Sequence, residues 1–371
     1  MAYEERKTII AEIEKKRTGR SLISLCNFDR SSEPPLPGVS MQFQADLKEC
    51  LYRVLKESAI SDKGIDIFLY TRGGDTNSVW PIVSLLREFD KDFQILVPFR
   101  NHSAGTLLSL AAKKIVMTRL AELSPIDPST GNQFNPIDTL NNKIRAGISV
   151  EDVNAYKDFI KETFSFKDKG SFSANEIEIL KSFVGKLVEE IHPLALGNVH
   201  RVHSLIRMLA TKLLKLHCRE NFAVAKVIDK LTVESYSHLH MFSRSEALEI
   251  LSDDFIEFAD EELEKLLDKL LHQYEDDFYL RSPLYISRLM DDNSLEKDFR
   301  FIGGVVESKS WGYVFETTGK ISQSSKLQPN ISVQIPPGQP MPLIPGLPRE
   351  YRIEVKEQRW SKNSAPLGVT K

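Results

Sequence analysis

The sequence predicts an α/β fold with a parallel sheet of βαβ units covered by helices, plus a small β-containing C-terminal appendage. Short apolar runs alternate with helix-like segments from Ile65 to Thr118. Helical periodicity dominates from Ser149 to Asp276, and strand-like runs return after residue 300. Alternation of strands and helices is typical of parallel sheets with right-handed crossovers.

The elements of the predicted sheet follow one another in order. A short apolar run at Leu22–Leu25 is predicted as an edge or first strand, and prolines between Ser31 and Gly38 mark a loop. Apolar periodicity then predicts strands and intervening helices in a regular alternation. The strands are Ile65–Tyr70, Gln94–Phe99 and Lys114–Thr118, and the helices are about Asn77–Phe89 and Ser103–Ala112.

Helices are predicted to cover this sheet beyond Pro128. They lie near Ser149–Phe164, Ala174–Ile191, Gly197–Leu216, Arg244–Leu251 and Asp260–Asp276. The tail then shows short strand-like runs at Gly312–Glu316 and Tyr351–Val355. These runs flank a polyproline-like linker, because seven of the 18 prolines fall between Pro329 and Pro348.

The composition indicates a folded, water-soluble chain, because 41% of the 371 residues are hydrophobic and 27% are charged. The net charge of -3 gives no global basic field, so neither nucleic acid nor an anionic membrane is predicted as a partner. No apolar run approaches the roughly 20 residues that span a bilayer, and Met1–Arg20 lacks the apolar stretch of a secretory signal. The cysteines Cys26, Cys50 and Cys218 suggest neither a disulfide framework nor a metal site, and a cytoplasmic location fits best.

Two loops at the carboxyl ends of predicted strands carry the candidate chemistry, since ligands of open α/β sheets bind at that edge. The first loop is Thr71–Asp75, in which Gly73 and Gly74 let the backbone turn an unpaired N–H group towards a bound anion. Such a turn could form half of an oxyanion hole. The alternative is an ordinary tight turn between a strand and a helix.

The second loop places Ser103 where a helix begins, next to the N–H group of Ala104. A serine hydroxyl at that point combines a nucleophile with an environment that favours negative charge. The alternative is a helix N-cap without catalytic function. The sequence differs from the Gly-x-Ser-x-Gly elbow of α/β-hydrolases, because Asn101 stands two residues before the serine.

Several motifs together resemble the serine dehydrogenase proteinase family. This family lies within the Clp/crotonase-like fold group, which also includes signal peptide peptidase A and the Clp proteolytic subunit. The similarity extends from about Ile65 to Leu251 and rests on the order and spacing of six segments. These are Ile67–Gly74, His102–Thr106, Leu123–Pro128, Ile148–Val153, Tyr236–His238 and Arg244–Leu251. One departure is Arg72, which stands where relatives commonly have proline.

The resemblance implies a serine peptidase that acts on polypeptides, needs no cofactor or metal and assembles into homo-oligomers. Its predicted parts are an N-terminal helix and lead-in strand (1–60), a Clp-fold protease domain (61–255), an acidic helical segment (256–300) and a proline-rich extension (301–371), which is a possible site for a protein partner. The expected oxyanion hole uses Gly73, Gly74 and Ala104. Arg72 is expected to alter that turn or to bring a positive charge to the substrate.

A serine needs a base, because its free hydroxyl is a poor nucleophile at neutral pH. The Clp subunit has a histidine soon after the region that matches Leu123–Pro128, but this chain has Asp127 and no histidine there. A lysine of the signal peptide peptidase kind is therefore expected. Family register favours Lys161 and helical periodicity favours Lys157, with Lys143 as a third candidate and Asp127 as an accessory residue. The alternative is that both helical lysines extend into water.

Other readings of the chemistry remain open from the sequence. His200 and His203 lie one helical turn apart without a third ligand at a useful spacing, so zinc is not predicted. His238 and His240 are expected in a turn, and His102 is expected to point away from Ser103. One alternative function is a non-catalytic Clp-fold scaffold that binds a partner. The other is crotonase-like chemistry on acyl thioesters, for which Asp75 is the obvious carboxylate.

Overall fold

The structure is a computed structural model, which describes residues 2–126, 129–130, 132–137, 145–163, 173–218, 222–232, 240–290, 294–326, 343–344 and 346–363. Its helices are α1 (Ala2–Lys16), α2 (Leu47–Glu57), α3 (Val79–Phe89), α4 (Ala104–Ser109), α5 (Val150–Thr163), α6 (Ala174–Glu190), α7 (Pro193–Leu214), α8 (Val224–Thr232), α9 (Arg244–Phe255), α10 (Glu261–Asp277) and α11 (Ile286–Leu289), with a 3₁₀ turn at Thr76–Ser78.

The described strands include several short pairs besides the long strands of the main sheet. They are β1 (Ser21–Asn27), β2 (Ser32–Glu33), β3 (Ile65–Tyr70), β4 (Gln94–Val97), β5 (Arg100–Asn101), β6 (Ile115–Met117), β7 (Glu122–Leu123), β8 (Ser129–Thr130), β9 (Ile148–Ser149), β10 (Phe242–Ser243), β11 (Ile256–Phe258), β12 (Leu284–Tyr285), β13 (Glu296–Glu307), β14 (Gly312–Ser325) and β15 (Arg349–Lys362).

The main sheet has eight strands in the order β11-β6-β4-β3-β1-β13-β14-β15. The strands from β11 to β1 are all parallel to their neighbours, so the predicted mixed α/β architecture with a large, mostly parallel sheet is confirmed. β13 pairs antiparallel with β1, and β14 and β15 continue from it. The C-terminal strands therefore extend the main sheet, whereas the sequence predicted a small β-containing C-terminal appendage.

The two faces of the sheet bury different helices because side chains alternate along each strand. Ile67 and Leu69 face the core under α2, α3, α4 and the C-terminal half of α7. Phe68 and Tyr70 face the opposite core, which α1 and α10 cover. The sheet is thus a central layer between helices, and its buried parallel strands read as continuous apolar runs in the sequence.

The N-terminal helix is attached to the sheet by a buried charge cluster. Arg6 of α1 is fully buried, and its Nε donates to Oε1 of the equally buried Glu307 at 2.6 Å. The Arg6 guanidinium also bonds Asp277, and the Tyr274 hydroxyl donates to Glu307 at 2.7 Å. Because a buried charge is tolerated only with partners, this cluster fixes α1 and α10 against β13.

Candidate active site

The two candidate loops lie side by side at the carboxyl edge of the parallel strands. After β3, the Thr71 amide donates to the Arg100 carbonyl at 2.9 Å, and the His102 amide donates to the Thr71 carbonyl at 3.0 Å. This short parallel bridge brings the Gly73–Gly74 turn next to the start of α4. The structure therefore places Ser103, Ala104 and both glycines in one site.

Ser103 occupies a backbone conformation that is rare for a residue with a side chain. Its φ is 50° and its ψ is -111°, and it stands directly before the first residue of α4. The Ser103 side chain makes no capping hydrogen bond to that helix. Among the described residues its hydroxyl has no hydrogen-bond partner, and the residue is half-buried. Ser103 thus stands at the N-cap position without the bond that defines a capping serine.

Gly73 is in direct contact with the serine. A Cβ atom on Gly73 would lie 2.7 Å from the Ser103 Cβ and 2.8 Å from the His102 carbonyl oxygen, and its φ of +95° also favours glycine. The Gly73 N–H group donates to the Thr71 hydroxyl at 2.9 Å. Gly73 therefore provides close approach of the turn to Ser103, while its own N–H group is occupied.

Unlike the N–H group of Gly73, those of Gly74 and Ala104 are not hydrogen-bonded to described residues. The Phe43 amide donates to the Gly73 carbonyl, and the Asp75 amide donates to the Phe43 carbonyl, so Gly74 between them turns its own amide away from Phe43. Neither Gly74 N–H nor Ala104 N–H has an acceptor within the part of the chain that the structure describes. Gly74 adjoins Gly73, which contacts Ser103, and Ala104 follows Ser103 directly, so both unpaired donors belong to the turn at the serine. An oxyanion hole requires two such backbone donors.

A network of buried polar side chains holds the turn at Ser103. The Ser103 amide donates to the Ser124 hydroxyl at 2.7 Å, and the Ser124 amide donates to the Thr106 hydroxyl at 3.1 Å. The Thr106 hydroxyl donates to the Asn101 carbonyl at 2.8 Å, and Asn101 Nδ2 donates to the Ser109 hydroxyl at 2.7 Å. These bonds tie the residues before and after Ser103 together and stabilise its unusual backbone.

Gly105 lets this network close. A Cβ atom at position 105 would lie 2.2 Å from the Asn101 Oδ1 atom and 2.5 Å from the Thr71 Cγ2 atom. The Asn101 and Thr71 side chains thus pack directly on the backbone of α4. The glycine that follows the serine by two positions is needed for this close approach of helix and strand.

A cluster of charged residues adjoins the turn through Arg72. Asp29 is an acceptor for Arg72 Nε at 2.6 Å, Arg100 Nη1 at 2.5 Å and the Tyr70 hydroxyl at 2.7 Å. Burial alone would raise the pKa of Asp29, but the hydrogen bonds from Arg72 and Tyr70 and the charge of Arg100 outweigh it and lower that pKa. Asp29 is therefore a carboxylate fixed between two guanidinium groups.

The His102 side chain contacts Glu122 and not Ser103, in line with the expectation that it points away from the serine. Its Nε2 atom lies 2.9 Å from Glu122 Oε1, and the residue is 7% exposed. Burial lowers the pKa of His102; Glu122 opposes this, while the positive charges of Arg72 and Arg100 lower the pKa further. A neutral imidazole bonded to Glu122 is consistent with a supporting role.

The candidate bases lie only partly within the described residues. Lys157 and Lys161 are on α5, where the structure describes the backbone, and Asp127 and Lys143 are outside the described residues. α5 packs against α7, and α7 packs against α4, the helix that follows Ser103. The choice between Lys161 and Lys157 stays a prediction.

The structure also describes four of the other residues that the sequence analysis considered, which are Asp75, His200, His203 and His240. The Asp75 carboxylate is exposed and accepts from the Asn77 amide at 2.9 Å, so it caps the 3₁₀ turn. His240 is exposed and lies 3.2 Å from Glu246, whereas His238 is outside the described residues. His200 and His203 both lie on α7, and no group of three or more metal-ligating side chains occurs in the described ranges. Nor does any helix described here have the length and apolar character needed to cross a membrane.

Sequence reasoning missed the supporting roles of Asp29 and Ser124. Ser124 belongs to a segment that carried the family resemblance, but nothing in its spacing indicated a bond to the Ser103 amide. Asp29 follows the lead-in strand and reaches Arg72 across 43 residues of sequence. A single aspartate in a loop gives no local signal for such a contact.

The structure thus brings Ser103, the Gly73–Gly74 turn and the start of α4 together at the carboxyl edge of a mostly parallel α/β sheet. Residues 1–153 match the model of the ClpP-like SDH-type serine proteinase family, which is the family that the motifs predicted. The matched range includes Gly73, Gly74 and Ser103, and it ends before Lys157 and Lys161.

Two curated proteins of Methanocaldococcus jannaschii, both described as uncharacterized, are similar to this chain. One is 29% identical over 131 residues, which are 35% of this chain and 45% of the relative. The other is 29% identical over 184 residues, which are 47% of this chain and 62% of the relative. The chain therefore matches about half of the length of these relatives.

Proposed function

We propose that this chain is a serine-type peptidase that hydrolyses peptide bonds with Ser103 as nucleophile. The observation that carries the proposal is the combination at the turn: a half-buried serine at φ 50° with an unbonded hydroxyl, a neighbouring Gly73–Gly74 turn, and unpaired N–H groups at Gly74 and Ala104. A serine that merely capped α4 would use its hydroxyl for the helix. The family match of residues 1–153 supports the same chemistry.

The proposed reaction has two halves. The Ser103 oxygen forms a bond to the carbonyl carbon of the scissile peptide while its proton passes to a base. Negative charge then develops on the carbonyl oxygen, where the Gly74 and Ala104 N–H groups donate to it. The C–N bond breaks as the base returns the proton to the leaving amine, and water hydrolyses the acyl enzyme in the same manner.

The proposed base is a lysine of α5, Lys161 first and Lys157 second. A lysine accepts a proton only if its surroundings favour the neutral amine, which requires burial near the site. Support comes from the packing of α5 on α7 and of α7 on α4. Position 157 also follows Val153 by four residues and precedes the buried Ile160 by three, so its backbone lies on their side of the helix. Lys143 and the accessory Asp127 are weaker proposals from the sequence.

The wider biology follows from the same proposal. The substrate is a polypeptide, the protein acts in the cytoplasm, and the chain assembles into a homo-oligomer, as ClpP-like proteases typically do. We propose that the chain is divided into parts 1–60, 61–255, 256–300 and 301–371, and that residues 301–371 bind a protein partner. Neither a metal nor a cofactor takes part in the proposed mechanism.

Labelling with a fluorophosphonate probe tests the nucleophile and the base. We expect the wild type to be labelled at Ser103, Ser103→Ala to be unlabelled, and Lys161→Ala to be labelled at least ~100-fold more slowly. Lys186→Ala is the matched control, because Lys186 lies on the surface of α6 in an ion pair with Glu189. Folding of each variant is checked by circular dichroism.

The outcomes separate the parts of the proposal. Absence of labelling at Ser103 in folded wild-type protein contradicts a serine peptidase and favours a binding scaffold. Labelling that is lost in Lys157→Ala and kept in Lys161→Ala assigns the base to Lys157. Labelling that persists in both lysine variants contradicts the serine–lysine pair while leaving Ser103 as the nucleophile.

A further inference from the structure

Arg72 presents a guanidinium group beside the proposed oxyanion turn. Its side chain is 53% exposed, although it is anchored through Nε to the Asp29 carboxylate at 2.6 Å. Within the part of the chain that the structure describes, the two terminal nitrogens of Arg72 have no hydrogen-bond partner. The next residue, Gly73, touches Ser103. An oriented guanidinium with free donors is therefore carried by the residue next to the glycine that contacts Ser103.

Arg72 is the most exposed of the charged side chains in its cluster, which also contains Asp29, Arg100 and Glu122. Asp29, which is 10% exposed, already accepts from Arg72, Arg100 and the Tyr70 hydroxyl. Glu122 is 26% exposed, and it accepts from His102 and lies 3.9 Å from Arg100. Both carboxylates thus have partners on the protein side, while Arg72 is the more exposed of the two arginines.

We infer that Arg72 binds a carboxylate of the substrate near the scissile bond, so that acidic polypeptide segments are the preferred substrates. This inference rests on the proposed peptidase function of Ser103. A planar guanidinium with two free nitrogens suits a carboxylate in a forked, two-bond geometry. Its bond to Asp29 already fixes the side chain, which reduces the entropy lost when a substrate binds. The carboxylate can belong to Asp, to Glu or to the C-terminus of the substrate.

Protection of Ser103 from the fluorophosphonate probe tests the inference without requiring turnover. The competitors are acetylated and amidated hexapeptides in which one Glu is moved along a neutral sequence, each paired with its Gln counterpart. A neutral peptide with a free C-terminus forms a separate arm. We expect the carboxylate peptide at one position, or the free C-terminus, to protect at about three- to tenfold lower concentration than its neutral counterpart.

Two variants and a control assign that preference to Arg72. In Arg72→Gln the preference should fall to about onefold, and Arg72→Lys should keep part of it through its charge. Arg53→Gln is the matched control, because Arg53 is 52% exposed and paired with Glu49, much as Arg72 is exposed and paired with Asp29. Arg53 lies on α2, which connects the carboxyl edge of β1 with the amino edge of β3 and so leads away from the site. Raised salt should shrink the wild-type preference, which provides a readout independent of folding of the variants.

Each result decides the inference. Equal protection by charged and neutral peptides, no protection by any peptide, or a preference that survives Arg72→Gln overturns carboxylate binding by Arg72 and leaves the peptidase proposal intact. Absence of labelling at Ser103 in the folded wild type overturns the peptidase proposal and this inference with it. A preference that is present in wild type and Arg53→Gln and lost in Arg72→Gln supports it.

Discussion

Ser124→Ala should slow the chemistry of Ser103 more than it destabilises the fold. Ser124 is 2% exposed, and its hydroxyl accepts from the Ser103 amide at 2.7 Å. A buried donor that loses its acceptor costs about 1–3 kcal/mol, and a strained backbone of the kind at Ser103 costs about 1–3 kcal/mol. Because the two energies are of similar size, loss of the hydroxyl lets the turn relax towards an ordinary conformation.

The expected effect on labelling follows from that comparison. Loss of about 1.4–2.8 kcal/mol of preorganisation at the transition state corresponds to roughly a 10- to 100-fold lower rate. We would measure the second-order rate of fluorophosphonate labelling together with the free energy of unfolding in urea, which should fall by about 1–2 kcal/mol. Ser124→Thr keeps the hydroxyl and should recover much of the labelling rate.

Ser308→Ala is the matched control for Ser124→Ala. Ser308 is 3% exposed and its hydroxyl accepts from the Ser310 and Trp311 amides at 3.2 and 3.1 Å, but it lies after β13 at the opposite edge of the sheet. It should lower stability without slowing the labelling. If Ser124→Ala is labelled at the wild-type rate, or if Ser308→Ala is slowed equally, the Ser124 hydroxyl does not position the nucleophile.

Three further predictions follow from buried contacts. Gly73→Ala should remain folded but be labelled at least ~100-fold more slowly than wild type, because the added Cβ would lie 2.7 Å from the Ser103 Cβ. Labelling at the wild-type rate would show that the turn is not part of the site. Arg6→Ala should lower the free energy of unfolding by about 3–5 kcal/mol, because it leaves the buried Glu307 carboxylate without its arginine. Lys265→Ala, which loses an exposed ion pair with Glu261, is the control and should change that free energy by less than about 1 kcal/mol. Because the pKa of His102 is lowered in the folded state, the unfolded chain binds more protons than the folded chain below pH ~6.5. Stability should therefore decrease as the pH falls from ~6.5 towards the folded pKa. Thermal melts of His102→Gln should show a smaller decrease over the same pH range.

The central strands and both loops could be predicted because their signals are local. The strand predicted at Ile65–Tyr70 has those bounds in the structure, and the strand predicted at Gln94–Phe99 ends at Val97. A buried parallel strand must be apolar on both faces, so a short apolar run between turn residues is sufficient to indicate it. The carboxyl ends of neighbouring strands then bring Gly73 and Ser103 to one edge without further information.

The C-terminal strands could not be placed from sequence because their position depends on distant pairing. β13 pairs with β1 from Asn27 opposite Gly304 to Ser24 opposite Glu307. Nothing local in either strand encodes that register, since the partners are about 280 residues apart in the sequence. The buried Arg6–Glu307 ion pair also joins α1 to β13. A charged residue near the start of a helix is usually solvent-exposed, so Arg6 does not indicate this contact from the sequence.

The backbone angles of Ser103 carry information about its role that the residue type alone does not. From the sequence, a serine before a short helix is as readily an N-cap as a nucleophile. The structure departs from the N-cap pattern, because an N-cap residue typically has β-region angles and a bonded side chain, whereas Ser103 has φ 50° and makes no capping bond. A strained residue persists only when its surroundings over-determine it. At Ser103 those surroundings are the Ser124 hydroxyl and the Gly73 contact, and both also leave the hydroxyl free for the proposed attack on a peptide carbonyl.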